Sequence, residues 1–312
     1  MIVQPARAPL FDLVVVVDWS ANSTSKTGRD SIWIAAVGTH DLTEFSLVNP
    51  STRAAAEQHL AHLIADAAGS RVLVGCDFSF GYPAGFARAI GHTGDAPWAT
   101  IWAHLADELV DEPDNSNNRF AVASRLNASI STGPGPFWGT TAAAYISPTL
   151  RRTKAPGFPH ATRHPDRPAL QEFRVVEQVL RASGLRPSSS WQLAGAGCVG
   201  SQALTGIAML ARLRRRADIA ERQIVWPFET GLSVDRIAAS PDSVVLAEVW
   251  PSLVPLDLTT HDVRDAAQVS GLAAWLAALD RRGDLAELFS PATNPADTAV
   301  VMGEEGWVLG VR

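Results

Sequence analysis

Apolar and polar positions along this chain alternate between two periods. Leu13 to Val17 (LVVVV), Val72 to Cys76 (VLVGC) and Val244 to Ala247 (VVLA) are continuous apolar runs rich in β-branched residues. Such runs read as strands buried on both faces. Each meets a lone carboxylate: Asp18, Asp77 and Glu248. Ser31 to Val37 and Glu44 to Val48 read as two further strands, so the chain opens with a three-strand meander. The 3.6-residue period then takes over from Thr52 to Ala68, with Leu60, Leu63 and Ile64 in phase and Ser51 as the expected N-cap. Arg71 to Asp77 is the fourth strand, which gives an opening order β-β-β-α-β.

Downstream, helices are expected over Ala96 to Val110, Ala169 to Ala182, Val199 to Arg216 and Val263 to Leu279, with a short one over Ala286 to Phe289. Strands are expected at Gln223 to Phe228 and Ser243 to Trp250, with a terminal edge strand at Gly306 to Val311. Between the first two of these helices, residues 111–168 are rich in Asn, Ser, Gly and Pro. Structureless stretches of that length are uncommon unless functional or disordered, so this one reads as an insertion or lid in a single domain spanning 1–312. Phe137 and Trp138 within it are expected to plug a groove over the core, with a substrate stack as the alternative. No internal repeat is visible.

Composition narrows the class. A hydrophobic fraction of 46% and a charged fraction of 19% are those of a globular protein. The net charge of −6 supplies no global field for nucleic acid. Local basic clusters at Arg151, Arg152 and Lys154 and at Arg212, Arg214, Arg215 and Arg216 read first as solvated faces. Cys76 and Cys198 form no CxxC pair, which excludes a zinc knuckle or a disulfide framework, and both read as small buried apolar residues. The amino terminus lacks the pattern of a signal peptide and no run is long enough to cross a bilayer, so a cytoplasmic protein with no membrane partner is expected.

Acids at strand ends are the candidate chemistry. A charge there is costly unless it is paired, solvated or bound to metal. Open α/β sheets carry their ligand crevice at the carboxyl ends of strands. Three acids converging there suggest a hard divalent cation. Asp262 and Asp265 stand at the start of the Val263 helix, where they also suit the helix dipole. Ser20, Ser201 and Gln202 are candidates for a cleft rim. Arg174 and Glu177 read either as a phosphate-positioning pair or as a local ion pair.

These motifs in this order resemble ribonuclease-H-like proteins. An acid on strand one, a meander, a helix, an acid after strand four and an acid on a late helix form that pattern. More closely, the chain resembles a family of predicted ribonuclease-H-like nucleases long catalogued as a domain of unknown function. The matching stretches are VVVVDWSA at Val14, GCDFSFGYP at Gly75, VGSQALTGI at Val199, AEVWPS at Ala247, VRDAAQVSGLAAW at Val263 and EEGWVLG at Glu304. The resemblance implies an α/β ribonuclease-H-like mixed sheet flanked by helices, and a Mg²⁺- or Mn²⁺-dependent phosphodiester hydrolase. It implies Asp18 bridging the metals, Asp77 and Glu248 completing the cage, and Asp265 as the late-helix acid. Where members often carry a second acid on that helix, this chain has Gln268. Ser20, Gln202 and Arg174 would face the substrate, a nucleic acid or a phosphorylated small molecule.

Competing readings remain open. A non-catalytic binder of a nucleotide or phosphorylated metabolite is favoured by the acidic charge and Gln268. Some chains of this appearance are associated with cofactor biosynthesis, on which no residue here bears. An actin-like phosphotransferase would need a second such domain and a better glycine loop than Trp19-Ser20. Gly195 to Gly200 is a literal GxGxxG, but no strong strand feeds it, so it reads as a turn that lets a helix pack closely, or as an anion site at that helix start. His59 and His62 lack a third ligand nearby in sequence and read as packing or surface residues, and His160 and His164 flank a Pro-rich loop and could be ligands only if the insertion folds over the site.

Overall fold

The computed structural model describes residues 8–141, 143–154, 157–195 and 197–312. The amino-terminal residues read for a signal peptide, parts of the 111–168 segment and Ala196 of the glycine-rich run lie outside the described residues. One six-stranded sheet organises the chain, in the order β3-β2-β1-β4-β6-β5. Its strands are β1 Leu13–Asp18, β2 Trp33–Gly38, β3 Phe45–Val48, β4 Val72–Cys76, β5 Gln223–Val225 and β6 Val244–Glu248. The meander β1-β2-β3 is antiparallel, while β4, β6 and β5 extend it in parallel. The three apolar runs are the three adjacent central strands, which is why they carry no polar face. Their C-terminal ends share one edge.

The helices are α1 Arg53–Asp66, α2 Phe86–Ala89, α3 Pro97–Glu108, α4 Arg119–Ile130, α5 Val175–Ala182, α6 Gly200–Leu213, α7 Asp235–Ala239, α8 Arg264–Arg282 and α9 Pro295–Val300. Side chains alternate across each strand, and the alternation divides the core. Val15, Val17, Val74, Cys76 and Leu246 face a layer built with α1, α3, α4 and α6. Val14, Val16, Leu73, Val245 and Ala247 face a second layer built with α5 and α8. Helix α8 lies across β1 and β2. It carries Val269, Leu272 and Leu276 inward, as their spacing requires.

Differences from the sequence expectations have local causes. The N-cap of α1 is Thr52, one residue beyond the expected Ser51, and its side chain accepts from the Ala55 N–H. The strand expected over Gln223 to Phe228 stops at Val225, where a cis Trp226–Pro227 bond turns the chain. The helix expected from Ala169 starts only at Val175, because residues 169–174 run irregularly into a buried Arg174. The terminal segment forms a single bridge, Glu248 to Val308, rather than a strand. Most of all, residues 111–168 are not structureless. They contribute α4 and bury Phe120, Phe137, Trp138 and Leu150 in the first layer. The aromatics of the glycine-proline turn are core residues, as their plug reading expects.

Close packing reaches the turn after β4. Gly206 on α6 sits against Phe78, and a Cβ there would stand 2.5 Å from ring atoms. Gly206→Ala should gain about 1 kcal/mol of helix propensity and lose about 1–3 kcal/mol to overpacking. We expect a net loss of stability in urea titration, with the m value unchanged.

Candidate functional site

Strand register decides which of the acids can act together. Val17 pairs with Cys76, and Cys76 with Glu248. Asp18 and Asp77 therefore stand one step beyond the Val17–Cys76 rung on neighbouring parallel strands, and the Asp77 N–H donates to the Val17 carbonyl at 2.9 Å. They share the parity of Val14, Val16 and Leu73, so both point to the α8 side. Parallel strands lie about 4.8 Å apart, which is close enough for one small cation to touch both carboxylates. Asp265, in the first turn of α8, joins them from that side and accepts the Asp30 N–H at 2.6 Å.

All of these acids line one cavity of about 570 Å³ at the sheet edge. Ser20 and Gln202 line it too, as the sequence expects. The Ser20 hydroxyl accepts the Asn22 N–H, and the Gln202 amide donates to the Trp19 carbonyl. Buried Arg53 fixes that loop. It pairs with Asp111 and donates to the carbonyls of Ser20 and Asn22.

Among the described residues, neither the Asp18 nor the Asp77 carboxylate has a hydrogen-bond or ion-pair partner. Burial pushes the Asp18 carboxyl well up, and the charges of Asp77, Asp265 and Asp30 push it further. Burial likewise pushes Asp77 up to about 7, helped by Glu248 and Asp265. The pair is an uncompensated negative site.

Glu248 corrects the expected cage. It sits level with Cys76 rather than Asp77, so it has the parity of Val244 and Leu246, and although it lines the same cavity its carboxylate is engaged. Both its oxygens are taken by Arg174, at 2.6 and 2.7 Å, and one also accepts the Phe80 N–H at 2.9 Å. Arg174 is corrected with it. It is 0% exposed and cannot face a substrate. Its guanidinium bonds Glu177, Glu248 and the Glu305 carbonyl. Burial pulls its pKa down, and the two carboxylates outweigh burial and hold it well above the ordinary arginine value. The local ion-pair reading of Arg174 and Glu177 describes the contact. Glu304 and Glu305 extend this anchor by accepting the N–H groups of Gly85, Ala87, Ala84 and Val175.

Other expected candidates stand elsewhere. His59 is half-buried on α1 and His62 is exposed. His160 is buried against Ser131 and His164 is exposed, and none of the four lines the cavity. Arg212, Arg214, Arg215 and Arg216 are engaged with Glu57, Glu229, Asp107 and Asp218, as solvated faces would be. Gly200 of the glycine-rich run fulfils the close-packing reading, since a Cβ there would lie 2.6 Å from the carbonyl oxygens of Gln192 and Ser190. Sequence reasoning missed Arg119, which lines the cavity from inside the presumed lid, and took Cys198 for a core residue although it also lines the cavity.

Among the described residues no group of three acid, His or Cys side chains is placed to hold a metal ion, and no helix is long and apolar enough to cross a membrane. No family model, curated protein or solved structure matches the chain.

Two predictions test this geometry. A carboxyl whose folded pKa is raised stabilises fully below the unfolded value of about 3.9 and loses that contribution as pH rises through the folded value. For Asp77 that window closes at about 7. Asp77→Asn should therefore be no more stable than wild type at pH 4 and increasingly more stable toward pH 7, by urea titration in EDTA. Arg174→Met should lose about 3–5 kcal/mol, because it strands buried carboxylates. A loss below about 1 kcal/mol, the range of a surface pair, would show that the hub is not the anchor described.

Proposed function

We propose that the protein is a divalent-cation-dependent hydrolase of phosphodiesters, with Asp18 and Asp77 as its cation-binding pair. The observation that carries this reading is the pair itself. Two carboxylates one step past a shared rung lie on one face of the sheet and line one cavity, and among the described residues no cationic side chain is paired with either. A ribonuclease-H-like reading of the fold, with 111–168 as its elaboration, is supported by the meander, by β4 parallel to β1, and by α8 bringing Asp265 over β1 and β2.

Mg²⁺ or Mn²⁺ fits what is present. Mg²⁺ typically takes only one or two protein carboxylates and completes its octahedron with waters and substrate phosphate oxygens. A site without three converged ligands is therefore not a misfit. A bound ion there would polarise the phosphoryl group and lower the pKa of a coordinated water. Asp18 and Asp77 would hold it, and Asp265 would add to the attracting field. Glu248 is held by Arg174 and fixes the Phe80 turn, which positions Asp77 from behind. Gln202 and Ser20 line the entrance with polar groups.

A specific observation favours a small substrate over a polymer. The cavity of about 570 Å³ falls in the range of about 300–1,000 Å³ that suits small-molecule sites, and the chain carries a net charge of −6. A phosphotransferase built from two actin-like domains draws no support from one six-stranded sheet.

The test compares wild type with Asp18→Asn. With Mn²⁺ or Mg²⁺, wild type should cleave bis(p-nitrophenyl) phosphate and short single-stranded or branched oligonucleotides, and the variant should fall to the EDTA background. Added cation should raise the melting temperature of wild type and leave the variant unmoved. Equal cleavage by both proteins would discard the assignment. A melting temperature of wild type indifferent to cations from pH 5 to 8 would discard the cation site.

A further inference from the structure

The cavity has a second, chemically opposite wall. Trp19 follows Asp18 and so points to the other side of the sheet, where its indole N–H donates to Thr205 on α6 at 3.0 Å. The start of α6 therefore reaches the same sheet edge as the carboxylates, but from the α6 side. Beside it stands Arg119, only 8% exposed and lining the cavity. Its Nε donates to Ser201, and Nη1 donates to Ser23 and Asn117. The guanidinium also lies over the Phe120 ring, 4.4 Å from its centroid, but among the described residues its Nη2 has no acceptor and no carboxylate lies within ion-pair reach. Burial and the nearby Arg53 charge lower its pKa to about 10, which leaves it charged at neutral pH.

A buried charge without a counterion is costly. This one is placed at the N-terminus of a 14-residue helix that has no side-chain cap. Among the described residues the N–H groups of Ser201 and Gln202 have no acceptor, and both residues line the cavity. A long helix presents positive potential and free donors at that end. A guanidinium without an ion-pair partner and uncapped helix donors ask for the same thing, which is an anion with several acceptor oxygens.

We propose that Arg119 and the first turn of α6 form a phosphate subsite, so that the substrate is a small molecule with a second anionic group beside the scissile phosphodiester. This deepens the hydrolase reading and rests on it for the fate of the substrate, but not for the phosphate contact itself. The two ends of the cavity then divide the work. The α8 side attracts a cation and the α6 side attracts an anion. A bis-anionic molecule such as a phosphorylated nucleotide ester satisfies both, whereas a neutral metabolite satisfies neither.

The chain supplies its own reporter. Cys76 is fully buried, while Cys198 is half-buried and lines the cavity; burial raises its thiol pKa and the Arg119 charge only partly offsets that, so its alkylation is slow and sensitive to what occupies the cavity. Iodoacetamide at pH 8 should therefore modify Cys198 alone in the folded protein. Inorganic phosphate, titrated at constant ionic strength against chloride, should slow that modification at least fivefold and raise the melting temperature, in EDTA or with Mg²⁺. Arg119→Gln should weaken phosphate binding at least tenfold by calorimetry. Should that variant fail to fold, Cys198→Asp places a competing carboxylate next to the guanidinium and should weaken binding as much without loss of stability.

Phosphate that leaves both alkylation and melting at the chloride control, with and without Mg²⁺, would overturn the subsite. Phosphate binding that needs Mg²⁺ and survives both substitutions would overturn it as well, since the anion would then sit on the cation. Arg119-dependent binding in EDTA supports the subsite even if the cleavage assay fails, so the two readings fall separately.

Discussion

Side chains alternate across a strand, and that alternation determines what each acid at the sheet edge can do. Asp18 and Asp77 lie one step past a shared rung and face the α8 layer together. Glu248 lies one step earlier with the opposite parity, and although it lines the cavity both its oxygens are taken by Arg174. A single residue of register separates a charge free to attract a cation from a charge consumed inside the protein. The cavity, its electrostatics and the anchoring of its turns all follow from that offset.

The inward acid is not idle. Glu248 meets Arg174 in a buried, fully hydrogen-bonded pair that also gathers Glu177 and the Glu305 carbonyl. Through the Phe80 N–H it holds the turn that follows Asp77. Gly81 is part of the same constraint, because a Cβ there would lie 2.3 Å from the Glu304 carbonyl oxygen. The closing EEGWVLG segment thereby clamps the turn from outside. Buried ion pairs are poor sources of net stability but strong sources of position, because removing one partner leaves the other uncompensated. Here they fix the backbone behind Asp77 while that carboxylate stays unpaired.

Much of the fold was legible in the chain because burial on both faces leaves a plain signature. The runs VVVV, VLVGC and VVLA mark the three adjacent parallel strands, and the 3.6-residue pattern locates α1, α6 and α8. What failed was information that sequence does not hold locally. The parity of Glu248 depends on its register against β4, which no residue near it encodes. The burial of Arg174 depends on three segments meeting. The 111–168 segment looked like a lid because its Asn, Gly and Pro content hides the helix Arg119–Ile130, whose inward face shows only against α6 and the core. Arg119 was lost with it. Its lack of an ion-pair partner among the described residues is a property of three dimensions, although NNRF at the helix start is a weak cue.

Charge segregation across the cavity follows from the same sheet geometry. Residues 18 and 19 are neighbours in sequence but point to opposite layers, so the end of β1 is a divide. On one side, α8 brings a further acid in its first turn. On the other, α6 brings an uncapped N-terminus with Arg119 beside it. The positive and negative groups could neutralise one another only across the strand end, and no ion pair joins them among the described residues. A protein that left both charges in such a cavity without a ligand would carry two desolvation costs that a modest repacking could remove. Each cost is offset by a ligand of opposite sign, and a single molecule that carries an anionic group and recruits a cation through another offsets both. The dipolar character of the cavity therefore selects for ligands with two charged ends more strongly than its volume does.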